Sequence, residues 1–143
     1  MATGTAQILH ASCIAAHGRG LLILGPSGAG KSSLAMQLIA LGAQLVADDR
    51  TAVFAQDQSL IAHAPPAIAG LIEARGIGIL RLPHCPRARV VAALDLAETE
   101  TRLRMPPLRR RAIAEIEIDF LHMQSGPHFP SALMCYLMGQ RSE

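Results

Sequence analysis

Between residues 25 and 32 the chain reads Gly25-Pro26-Ser27-Gly28-Ala29-Gly30-Lys31-Ser32, which fits the spacing G-x-x-x-x-G-K-[ST] at every fixed position. Each residue type has a physical task. The glycines let the backbone wrap so tightly that several N–H groups converge on one point, a concave anion site at the positive end of a following helix. Lys31 adds a mobile charge for the β and γ phosphates, and Ser32 offers a hydroxyl ligand to Mg²⁺. The chemistry predicted is the binding of a nucleoside triphosphate.

A nucleotide site that transfers phosphoryl groups also needs an acidic element for its metal and a base for the acceptor. Asp48 and Asp49 stand together at the end of a predicted strand, and buried charges in such a place need partners. The competing reading is a surface turn with Arg50 as an ion-pair partner. Glu73 is a hard oxygen donor suited to Mg²⁺, and Arg75 has the fork geometry that grips phosphate. Taken alone, that pair is no more than an ordinary exposed pair. His10 alone fits a hydrogen-bonded histidine near a strand end. The arginines at 102, 104, 109, 110 and 111 fit a solvated loop.

The elements around these residues decide which readings survive. Leu21-Leu22-Ile23-Leu24 is an all-apolar run of the kind buried on both faces of a sheet. After the glycine loop, Leu34, Leu38 and Leu41 fall at helical spacing, with Gly42 as the stop. Gln7 to Ala16 reads as one strand, and His17-Gly18-Arg19-Gly20 as a tight turn that makes a hairpin with the strand before the loop. Gln44 to Ala47 and Thr51 to Phe54 are predicted strands on either side of Asp48-Asp49-Arg50. Gln56 to Ser59 is a polar turn before Leu60-Ile61-Ala62. Pro65-Pro66 breaks the chain, and Ala67 to Ile72 is read as one or two helical turns. In Glu73-Ala74-Arg75-Gly76-Ile77-Gly78-Ile79-Leu80 the two glycines allow a sharp turn or a close approach to a ligand. Pro83 to Pro86 is a loop and Arg89 to Leu96 a strand. Ile113, Ile116, Ile118 and Phe120 suggest another strand, although Ala114-Glu115-Ile116-Glu117 fits a helix equally. Gly126-Pro127 and Pro130 mark a turn, and Ser131 is placed to cap a final helix carrying Leu133, Leu137 and Met138.

With 143 residues, half of them apolar, the chain is read as one domain spanning 1–143 with a sizeable core. The absence of Trp, with one Tyr and three Phe, makes that core aliphatic. A net charge of +2 is too small to argue for nucleic acid. Cys13, Cys85 and Cys135 are odd in number and lack C-x-x-C spacing, so they are read as reduced thiols of a cytoplasmic protein. No apolar run approaches the roughly 18 residues of a membrane span. His10 interrupts the N-terminal apolar patch, which has no basic segment before it, so no signal peptide is expected.

His10, the loop Gly25 to Ser32, Val46-Ala47-Asp48-Asp49-Arg50 and Glu73-Ala74-Arg75-Gly76-Ile77-Gly78-Ile79 together resemble the catalytic domain of HPr kinase/phosphorylase, over about His10 to Arg102. The resemblance is to the short form, without the additional N-terminal domain of longer members. It implies an α/β fold, the phosphoenolpyruvate-carboxykinase-like variant of the phosphate-loop architecture with a mixed β-sheet. It also implies an activity: transfer of phosphate from ATP to a serine of the phosphocarrier HPr, with phosphorolysis as the reverse. By the same resemblance, Gly25 to Ser32 would hold ATP, and Ser32 with Glu73 would hold Mg²⁺. Asp48 would take the proton from the acceptor serine and, once protonated, return it in the reverse direction. Asp49 would support Asp48, while His10 and Lys31 would line the phosphates. Arg102 resembles a late catalytic arginine, and Arg75, Gly76 and Gly78 belong to the signature element beside the phosphates. Family members are commonly hexamers, so a homo-oligomer is implied. Two departures stand out. Ser33 occupies a position where relatives usually carry an acid, and Pro106 to Arg111 does not reproduce the element linked to dephosphorylation. A small-molecule kinase or ATPase, or a nucleotide-sensing module without transfer chemistry, remain as other readings of the same loop.

Overall fold

The computed structural model of the chain describes residues 5–99, 104–139 and 141–142. In chain order the elements are β1 (Gln7–Leu9), β2 (Ala11–Ala16), β3 (Arg19–Leu24), α1 (Lys31–Ala40), β4 (Gln44–Ala47), β5 (Thr51–Gln56), β6 (Ser59–His63), a 3-10 turn (Pro66–Ile68), β7 (Leu71–Ala74), β8 (Gly78–Arg81), β9 (Ala88–Thr99), β10 (Arg110–Ile113), β11 (Ile116–Met123) and α2 (Phe129–Met138).

The apolar strand β3 lies between β2, antiparallel to it, and β9, parallel to it. The main sheet runs β1-β5-β6-β9-β3-β2-β4 and is mixed. The long strand β9 forks it: its start pairs with β6 and its later part with β11, which also pairs with β10. Three hairpins of this sheet close through two-residue turns at positive φ: His17-Gly18, Asp57-Gln58 and Ala114-Glu115. That turn geometry matches the twist of the strands it joins.

Alternation along β3 divides the interior into two cores. Leu21 and Ile23 face α1 and α2, packing with Ile14, Leu34, Leu38, Leu94, Leu133 and Leu137. Leu22 faces the other side with Cys13, Val46, Val53, Leu60 and Phe120. There the sheet curls, bringing β2 and β4 towards β5 and β6, so its own side chains fill the concave face. The main core is aliphatic, as the composition requires.

Helix α1 ends as the Gly42 stop predicts. Gly42, at φ 116°, donates its N–H to Ile39 O at 3.0 Å, and Ala43 donates to Leu38 O at 3.0 Å, the paired bonds that close a helix around a left-handed residue. Leu41 departs from the helical-face reading: it is the C-cap residue and half exposed. At the other end of the chain Arg19 holds α2, its guanidinium donating to the carbonyls of Tyr136 (2.9 Å), Leu137 (3.1 Å) and Gly139. The Tyr136 hydroxyl donates to Asp119 at 2.5 Å. Burial, and then this bond to Asp119, push the Tyr136 phenol well above its ordinary range.

Three readings of the sequence need correction and one open alternative is decided. Gln7 to Ala16 is two strands, broken at His10. Ala67 to Ile72 is helical only in the single 3-10 turn, and Ile72 belongs to β7, which forms a separate two-stranded hairpin with β8. Of the two readings open for 114–117 the strand is the one observed: Ala114-Glu115 is the hairpin turn and Ile116-Glu117 opens β11. Helix α2 starts before Ser131, with His128 as its N-cap and Pro130 in its first turn. Among the described residues no helix is long and apolar enough to cross a membrane.

Burial leads to one prediction here. Cys13 is fully buried, and desolvation, followed by the neighbouring Cys85, raises its thiol pKa far above the ordinary value; Cys135 is exposed. Since the thiolate is the reactive form, maleimide labelling of the folded protein followed by peptide mass spectrometry is expected to modify Cys135 and leave Cys13 untouched until urea unfolds the chain.

Candidate active site

The site is assembled where two neighbouring lines of chain stop pairing with each other. Leu9 pairs with Thr51 in β1–β5, and Cys13 pairs with Ala47 in β2–β4. Between these pairs lie residues 10–12 on one side and 48–50 on the other. Side chains take over the missing backbone pairing: Thr51 Oγ1 donates to Ala11 O at 2.8 Å, Ser12 Oγ donates to Asp48 Oδ1 at 3.0 Å, and Asp49 N donates to Ser12 Oγ at 3.0 Å. The break in the first strand is therefore what brings His10 and the two carboxylates together.

The glycine loop joins the end of β3 to α1. Ala29 N donates to Pro26 O at 3.1 Å and Leu34 N to Gly30 O at 3.0 Å, closing first the turn and then the helix. At Gly25 only glycine fits: φ is 151°, and an added Cβ would lie 3.2 Å from the Ala29 Cβ and 3.3 Å from the Leu96 Cβ. At Gly28 and Gly30 an added Cβ would meet nothing within 4 Å, so the space over the loop is open. The N-cap of α1 is Gly30, which has no side chain to bond the first turn, and that turn carries no acid. Free N–H groups at the positive end of a helix suit an anion.

Lys31 opens α1 and folds back over the loop. Its side chain is buried, with Nζ donating to Gly25 O (2.8 Å) and Pro26 O (3.1 Å) and lying 3.6 Å from Asp49 Oδ1. Ser32 Oγ donates to Asp48 Oδ1 at 2.6 Å, and Glu73 N donates to Asp48 Oδ2 at 3.1 Å. Asp48 is 9% exposed, which excludes the surface-turn reading for it. Asp49 is half exposed, sits at φ 66°, and lies 3.1 Å from His10 Nε2. A cleft of about 470 Å³ covers this arrangement, lined by residues of the loop together with Asp48, Asp49, Glu73 and Arg75.

Most residues singled out from the sequence thus meet in one place. Gly76 and Gly78 are not among the residues that line the cleft; both have positive φ and shape the β7–β8 turn beside it. Ser33 also lines the cleft, with a hydroxyl and no carboxylate. Arg102 lies outside the described residues. Ser12 was missed. Its one signal is a hydroxyl in a strand whose other residues are apolar and fully inward.

The donor set suits Mg²⁺. Ser32, Asp48 and Glu73 present hard oxygens to one cleft, and Mg²⁺ is held by one or two carboxylates together with substrate phosphates, not by an all-protein cage. Among the described residues no three His, Cys, Asp or Glu side chains converge as such a cage.

Fold and site together define a phosphate-loop α/β domain with an acidic element facing the loop. The chain belongs to the HPr Serine kinase C-terminal domain family, whose profile matches residues 2–92 and so includes every residue of the cleft. It is 44% identical over 73 residues to the HPr kinase/phosphorylase of Lacticaseibacillus casei, covering 50% of this chain and 23% of that protein. To the HPr kinase/phosphorylase of Limosilactobacillus reuteri it is 47% identical over 73 residues, covering 50% and 23%. The match therefore spans less than a quarter of these curated relatives. A solved structure, the Hpr(Ser) kinase/phosphatase from Coxiella burnetii, superposes with a TM-score of 0.76 at 26% identity, covering 92% of this chain and 93% of that one. The mixed α/β architecture expected from the sequence is the architecture of that enzyme.

Proposed function

We propose that this chain is the catalytic domain of an ATP- and Mg²⁺-dependent protein serine kinase acting on an HPr-type phosphocarrier, working as a homo-oligomer in the cytoplasm. The single observation that carries the reading is the 2.6 Å bond from Ser32 of the glycine loop to the buried Asp48 carboxylate. It joins the hydroxyl suited to the metal and the group suited to the acceptor proton in one network.

Each residue has a part that follows from its surroundings. The N–H groups at the start of α1 receive the phosphates. Lys31 exchanges the carbonyls of Gly25 and Pro26 for phosphate oxygens, placing positive charge where negative charge grows during transfer. Ser32 and Glu73 would hold Mg²⁺, which when bound neutralises phosphate charge. Three donors occupy Asp48, and a carboxylate accepts about four, which leaves a position on Oδ2 for the hydroxyl of an incoming serine. Asp48 takes that proton as the seryl oxygen attacks. Arg75 and His10 border the phosphates, and Asp49 keeps Lys31 and His10 in place. Run backwards, the same carboxyl returns the proton. The forward direction is the better supported one, because Pro106 to Arg111 does not cleanly reproduce the element that the resemblance links to dephosphorylation.

Measuring ATP turnover with and without an HPr-type protein tests the reading. Turnover that depends on the acceptor is expected; equal turnover without any protein acceptor would overturn it.

A further inference from the structure

Ser12 is fully buried on the α1 side of β2, the face it shares with Ile14 and, across the ladder, Ile23. A hydroxyl has one proton and two lone pairs, and here the neighbours dictate how each is used. The Asp49 amide can only donate, so Ser12 Oγ accepts from it at 3.0 Å. The hydroxyl proton then goes to Asp48 Oδ1 at 3.0 Å. One atom thus fixes the backbone of Asp49, whose φ of 66° is unusual for a residue with a side chain, and the carboxylate of Asp48.

Ser32 also donates to Asp48 Oδ1, but Ser32 is the hydroxyl that a metal claims once nucleotide is bound. Ser12 lies outside the cleft lining and has no such second use. We infer that Ser12 is a positioning residue: it keeps the Asp48 carboxylate aimed, with Oδ2 towards the acceptor, after Ser32 has turned to its ligand. The inference rests on the kinase reading of the site.

A matched pair of variants separates this role from packing. Ser12→Thr and Ser12→Val have nearly the same volume and differ in the hydroxyl, so any strain from the added methyl group is common to both. With an HPr-type acceptor, Ser12→Val and Ser12→Ala are expected to lower kcat about 10- to 100-fold, the usual consequence of losing an orienting partner. KM for ATP should change less than about threefold, since the loop amides and Lys31 are untouched, and Ser12→Thr should restore most of kcat. Equal kcat in the Thr and Val variants would overturn the inference.

A second readout does not depend on turnover. Hydrogen exchange at the Asp49 amide, followed by NMR, is expected to remain slow in wild type and Ser12→Thr and to accelerate at least about tenfold in Ser12→Val and Ser12→Ala. Unchanged exchange in all four proteins would overturn the positioning role even if transfer is observed. A wild-type protein that transfers nothing would instead sink the kinase reading, with the exchange result still deciding whether Ser12 orders this segment.

Discussion

Asp48→Asn is expected to lower phosphoryl transfer to the acceptor protein by about 10²- to 10⁴-fold, the range associated with loss of a general base. Nucleotide affinity should stay within about threefold, because the amide cradle and Lys31 carry most of the binding. The replacement is nearly isosteric but its hydrogen bonding is not neutral. Asp48 now accepts from Ser12, Ser32 and the Glu73 amide. An asparagine can accept from the Glu73 amide only by turning its NH₂ on the two serines. Those hydroxyls can rotate to accept, whereas the backbone amide cannot, so the fold survives while the proton acceptor is lost. Equilibrium titration with a fluorescent ATP analogue and single-turnover transfer, measured on the same preparation, separate binding from chemistry. Thermal unfolding shows whether the variant is folded.

Lys31→Met is expected to act on both. Methionine keeps an unbranched stem in the buried position of the lysine and removes its charge. The two loop carbonyls at 2.8 and 3.1 Å then lose their donor, and Asp49 loses a cation at 3.6 Å. Removing one charge-stabilising donor from a preorganised site costs about 10²- to 10³-fold in rate, and affinity for ATP is expected to weaken about tenfold or more as well. The contrast with Asp48→Asn is the informative part. One variant separates binding from transfer; the other lowers both. Two variants with the same profile would contradict the division of roles between the lysine and the carboxylate.

The parts of this site that were legible in the sequence are those that are local in the chain. Gly25 to Ser32 is contiguous and its geometry follows from glycine, a helix start and one lysine. The run Leu21 to Leu24 before it, and Gly42 after the helix, could be read because each depends on a few neighbouring residues. Asp48 and Asp49 were legible as chemistry, since two adjacent acids at the end of an apolar strand have few structural uses.

What stayed hidden depends on register. That Gln7 to Ala16 breaks at His10 follows from β1 joining β5 while β2 joins β4, a pairing across some 40 positions that no local pattern encodes. Ser12 was hidden for the same reason: its partners are 36 and 37 residues away, and in isolation a serine in an apolar strand is unremarked. The Ala114-Glu115 turn lacks the glycine or asparagine that usually announces positive φ, so a helix was an equal reading until β11 found β9. Burial of Ile72 against α1 overrode the helical pattern of Ala67 to Ile72.

Incubating the protein with Mg-ATP and an HPr-type phosphocarrier, then mapping the acceptor by peptide mass spectrometry, tests the central claim most directly. Phosphate on one serine of the acceptor, formed by wild type and nearly absent with Asp48→Asn, is the predicted result. An acceptor that stays unmodified while the wild-type protein binds Mg-ATP, or that is modified equally by both proteins, would contradict it.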